Sequence, residues 1–98
     1  MTENCDYSPS PIDLKRIEIP KGLESLIEAM AKNVHETWAE ERLKEGWIFG
    51  PERNDALKHT PCLVPFEDLP EEEKEYDRQT ALATIRFILA SGFTITKQ

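Results

Sequence analysis

At 98 residues the chain is sized for one domain, since a second hydrophobic core would not fit in that length. With 19 acidic residues against 12 basic ones, the formal charge of −7 repels a phosphate backbone and argues against nucleic-acid binding. No stretch approaches the roughly 20 apolar residues of a membrane span, and the polar opening MTENCDYSPSP lacks the apolar run of a signal peptide, so a soluble, cytoplasmic protein is expected.

Residues 1–13 hold Pro9 and Pro11 among Ser, Asn and Asp, which favours an extended arm, with residues 1–6 flexible. Cys5 and Cys62 stand apart, without the partners of a zinc site, and read as free thiols in a reducing compartment. LKRIEIP (residues 14–20) places Ile17 and Ile19 on one side of a short predicted strand. From Leu23 to about Glu45, the residues Leu23, Leu26, Ile27, Met30, Val34 and Trp38 recur at three-and-four spacing, predicting a long amphipathic helix. Gly46 is placed to end it in a left-handed conformation, and Pro51 discourages a restart.

Residues 47–70 contain Pro51, Pro61, Pro65 and Pro70, a long connection expected to be pinned by Leu63, Val64 and Phe66. Asp68 and Glu71 fit a capping box, with Pro70 in the first turn of a second helix running from about Leu69 to Ser91. Its core face is Ala81, Leu82, Ile85, Ile88 and Leu89, while Tyr76, Thr80, Ala83 and Phe87 fall on the other side. FTITK (residues 93–97) reads as a terminal strand able to pair with LKRIEI. The predicted fold is mainly α: two long antiparallel helices joined by a packed proline-rich loop, with a small antiparallel β element from the N- and C-terminal segments.

The stretch NVHETWAEERLKEGWIFGP (residues 33–51) carries the candidate site. Ala31, His35, Trp38 and Arg42 step along one helix edge and can line a single groove. An indole face stacks on a planar base or meets a cation, and a guanidinium offers a fork to a phosphate or carboxylate. His35 can donate or accept a hydrogen bond. The same residues support a structural reading. Trp38 can cap the core stripe, Arg42 can pair with Asp77 or Glu41, His35 can anchor the loop, and Asn33 can bond to loop backbone. Trp47, just past the helix, carries the same two readings, with packing favoured. Glu41 falls inside the apolar stripe, where it either lies beyond the packed zone or needs a partner such as Lys74 or Arg78. No catalytic motif, cofactor loop or metal-ligand spacing is present, so a non-enzymatic role is expected.

Taken in order, Y-x-P-x-P-I-D (residues 7–13), N-x-H-x-x-W-A-x-x-R (33–42), G-W-x-F-G-P (46–51), P-C-L-V-P-F (61–66), L-P-E-x-E-K-x-Y-D (69–77) and the closing A-S-G-F make the chain resemble a single ryanodine receptor repeat, the RyR domain. In the animal calcium-release channels such repeats occur as tandem pairs, and single repeats occur in prokaryotic proteins with no channel attached. The resemblance implies a stand-alone repeat of the latter kind, without calcium-channel activity. It also implies a homodimer, in which two copies recreate the tandem pair, with the aromatic side of the second helix as one candidate interface. Finally it implies a purine-nucleotide cleft in which a tryptophan faces the base; that position is Trp38. Two further cleft positions match Asp77, where the receptors usually have Asn, and Thr60. The expected ligand-binding set is therefore Trp38, His35, Arg42, Asp77, Thr60 and Trp47. The alternative is a protein-interaction module using Tyr76, Phe87 and the loop surface.

Overall fold

Uninterrupted by proline or glycine, the three-and-four apolar spacing after Gly22 winds into helix α1, Glu24–Lys44, in a computed structural model that describes residues 6–98. Glu24 lies in its first turn, and Arg42 and Lys44 in its last, each opposing the local end of the helix dipole. The helix ends where the sequence predicts. Gly46 takes φ +92°, its N–H donates to the Leu43 carbonyl (3.1 Å), and the Trp47 N–H reaches back to the Arg42 carbonyl (2.9 Å). This paired closure needs a left-handed residue at Gly46, and it turns Trp47 back over the last helical turn.

Helix α2, Glu71–Ala90, closes in the same way through Gly92 and Phe93. Its start differs from expectation. Pro70 occupies the N-cap and no side chain caps the helix, because Asp68 is drawn into a 3-10 turn, Phe66–Asp68. The acidic run Glu71, Glu72 and Glu73 still sits at the positive end of the helix, as an exposed first turn.

The β element is not the one expected. It lies between the helices, where β1 (Ile48–Phe49) pairs in parallel with β2 (His59–Thr60). Neither residues 14–20 nor residues 93–97 form a strand. Local hydrogen bonds account for both departures. The Asp13 carboxylate accepts the Lys15 N–H (3.1 Å) and the Leu14 carbonyl accepts the Ile17 N–H (3.0 Å), folding LKRIEI into a turn; the Phe93 N–H is used in closing α2. The arm is tied to α2 instead, with the Arg86 guanidinium donating to the Ile17 carbonyl (3.2 Å).

Two helices and a short loop core hold the chain together. Ala31 of α1 packs with Phe66 and Leu69, and Cys62 and Val64 lie against them; Ala81 and Ile85 are the buried residues of α2. On α1 the buried line is turned relative to the predicted stripe: Ala31 and His35 are inside, whereas Leu26 and Val34 are each 40% exposed. Arg78 bridges the helices, its guanidinium donating to both oxygens of Glu28 (2.8 and 3.2 Å) and reaching Glu71 and Glu75 on its own helix. Glu41 lies beyond the packed zone, the first of its two expected readings, and so needs neither Lys74 nor Arg78. It is exposed and pairs with Lys44 at 3.6 Å.

Candidate functional site

Because α1 turns Ala31 and His35 inward, the cluster begins deeper than a surface edge. His35 is only 4% exposed, and its Nε2–H donates to the Val64 carbonyl at 2.7 Å, fastening the loop to the helix. Its ring stacks on Trp38 (centroids 5.6 Å, 27° between planes) and tilts against Phe66. One turn further on, the Arg42 guanidinium lies 5.8 Å from the Trp38 ring and 5.9 Å from Trp47. The Gly46 closure brings Trp47 there, and the Arg53 guanidinium covers Trp47 in turn at 5.7 Å. The result is a continuous run of aromatic rings and guanidinium groups, His35–Trp38–Arg42–Trp47–Arg53, in which each cation is held against a π face. Arg42 is paired with Glu45 (2.6 Å), not with Asp77 or Glu41, and Arg53 with Asp55 (2.8 Å).

Thr60 and Asp77 reach the same region from β2 and α2. Thr60 is buried and its hydroxyl oxygen accepts the Cys62 N–H (3.2 Å). Burial pushes the half-buried Cys62 thiol up, aided by the negative fields of Glu73 and Asp77 and opposed by the Thr60 hydroxyl and Arg53. Burial also raises the Asp77 carboxyl above the usual aspartate range, against the lowering effect of His35. Cys62 is a free thiol; Cys5 lies outside the described residues. No group of three or more potential metal ligands occurs among the described residues.

Of the six residues singled out from the sequence, His35, Trp38, Arg42 and Trp47 form one run of contacts, Asp77 lies within the field of His35, and Thr60 sits beside Cys62; His35 and Thr60 are committed to backbone groups, and Trp38, Arg42 and Trp47 are half-buried. Asn33 is exposed and lines a different groove, whose far wall includes loop residues 63–65, but among the described residues it makes no hydrogen bond to the loop backbone it was expected to bond. None of the six lines that groove. Arg53 was not foreseen. Nothing in its local pattern marks it, since only the fold of residues 50–60 carries it to Trp47.

A family model for the RyR domain matches residues 7–97. The chain belongs to the RyR domain family. The match spans both helices, the connection between them and the arm along α2, so the neighbourhood around Trp38 is part of the RyR domain itself. Among the described residues, no helix of this RyR domain is long and apolar enough to cross a membrane.

Asp77 gives a direct test of the electrostatics. An aspartate whose folded carboxyl binds its proton more tightly than the unfolded one loses stability as pH rises through that window, and carries the full cost once ionised at neutral pH. Asp77→Asn is thus expected to raise the melting temperature at pH 7, with the gain shrinking as pH falls below the carboxylate range. A variant that melts lower than wild type at pH 7 would show that the carboxylate makes a favourable interaction outweighing its burial.

Proposed function

We propose that this RyR domain is a non-catalytic binding module of the cytoplasm that works as a twofold homodimer and holds a purine nucleotide or related planar, anionic metabolite against Trp38. The observation that carries the reading is the placement of Arg42 beside both Trp38 and Trp47, with Arg53 beyond, which sets indole rings next to guanidinium groups that a phosphate would recruit in exchange for their exposed partners Glu45 and Asp55. In one copy Trp38, Arg42 and Trp47 are half-buried, and a second copy laid over them would complete a cleft. The second helix offers a face for that pairing: a groove of about 720 Å³ between the arm and α2 includes Ile12, Leu14, Ala83, Phe87 and Ile88.

Calorimetric titration with adenine nucleotides, cyclic nucleotides and nicotinamide-derived compounds tests the ligand, and sedimentation tests the dimer. Stacking of one base on an aromatic side chain contributes about 1–3 kcal/mol, so Trp38→Ala in a folded protein is expected to weaken binding by roughly 5- to 150-fold. No response across the panel, or an unchanged affinity in Trp38→Ala, removes the reading. A stable protein partner lost on Phe87→Glu, with no nucleotide bound, would favour the interaction-module alternative.

A further inference from the structure

A second surface lies on another face of α1 and involves none of the six residues expected to bind a ligand, though it shares Val64, whose carbonyl His35 holds. Asn33, Glu36, Thr37, Glu40 and Leu43 form one wall of an open trough of about 880 Å³; β1 and residues 63–65 form the other. Its apolar lining is unusually bare, with Leu43 59%, Ile48 54% and Phe49 55% exposed, and it continues through Leu63, Val64 and Pro65. Exposed apolar side chains are ordinary singly but point to a partner when they line one groove.

Charge selects the kind of partner. Among the described residues no cation lines the trough; Lys32 and Lys44, which flank its wall in sequence on α1, pair with Glu67 (3.0 Å) and Glu41 (3.6 Å), although Lys32 also lies within the field of Glu36. Glu36 and Glu40, one turn apart on the wall, form no ion pair among the described residues. An apolar floor beside two carboxylates without an ion pair among the described residues complements a segment with an apolar face and lysines or arginines along its flank. A second copy is a poor match at this face, because a twofold pairing across the trough would set Glu36 and Glu40 against the same carboxylates of the other copy.

Dimensions favour a helix. From Asn33 to Leu43 the wall rises about 15 Å at 1.5 Å per residue, roughly three turns, which suits apolar anchors at i, i+3 or i+4, and i+7. The trough is open along one side, whereas a small-molecule site encloses most of its ligand. We propose that the trough between α1 and the wall formed by β1 and residues 63–65 is the docking site for a basic amphipathic helix of another polypeptide. The proposal is independent of the nucleotide reading.

A labelled synthetic leucine/lysine helix of about three turns serves as the probe, followed by fluorescence anisotropy against the full chain. Binding is expected, weakening as ionic strength rises. Glu36→Lys combined with Glu40→Lys is expected to cost about tenfold or more in affinity, and Phe49→Ser a comparable loss, with circular dichroism unchanged. Glu18→Lys combined with Glu72→Lys makes the same change in net charge elsewhere on the exposed surface and is expected to leave binding intact. The proposal is overturned by an absence of binding, by equal losses in the two double variants, or by equally tight binding of a leucine/glutamate helix. A wild-type dimer in sedimentation that disappears in Phe49→Ser would also overturn it, by making a second copy the occupant.

Discussion

Phe66→Ala is expected to destabilise the domain by about 3–5 kcal/mol, the usual cost of removing a buried phenylalanine when its surroundings cannot fully collapse. Phe66 is the one large aromatic side chain in the buried cluster, packed with Ala31 of α1 and with Leu69, just before α2. Its ring also rests against His35, so its loss releases the connection from both helices together. Domains of this size are stable by only about 5–15 kcal/mol in total. With a urea dependence of about 2 kcal/mol per molar, the midpoint should therefore fall by about 2 M. Phe66→Leu, which keeps most of the volume, should recover the larger part of the loss. An alanine variant that unfolds at the wild-type midpoint would mean that the connection is not held by this ring.

Where local chemistry decides conformation, the fold was legible in the sequence. Three-and-four spacing marked both helices, and Gly46 and Gly92 marked their ends because the closing turn needs a backbone that residues with a Cβ rarely adopt. Non-local competition was not legible. Ile17 and Ile19 carry a strand pattern, yet the Asp13 side chain and the Arg86 guanidinium satisfy that backbone in a turned arm. The parallel pair β1–β2 involves two residues on each side, too short a run for any periodicity to register. Likewise, the helical pattern identified the apolar stripe of α1 but not its exact rotation. A ring that bonds a loop carbonyl can go inside, and His35 displaced Val34 from the buried position.

That rotation also explains which part of the site could be read. His35, Trp38 and Arg42 share a helix, so their spacing alone makes them neighbours, and the glycine closure adds Trp47. Thr60 and Asp77 come from distant segments, and the resemblance to RyR repeats, not spacing, nominated them. Arg53 and the trough beside Glu36 and Glu40 depend on how residues 48–65 fold back on α1, which no local pattern encodes.

His35→Ala is expected to cost about 2–4 kcal/mol, combining a lost hydrogen bond to a partly buried carbonyl with the cavity left by the ring. His35 was a candidate ligand residue, but its Nε2–H is engaged by Val64 and its faces by Trp38 and Phe66. Within one domain it acts by holding Trp38 in place. His35→Gln separates that role from ligand contact, because the longer amide can still donate to the Val64 carbonyl while removing the imidazole. It should recover about 1 kcal/mol relative to His35→Ala, keep tryptophan emission close to wild type, and leave the affinity of the proposed nucleotide site within a few-fold. His35→Ala should instead shift emission to longer wavelength as Trp38 gains water. Full stability in His35→Gln with nucleotide binding abolished would reverse the assignment and make the imidazole a direct ligand group.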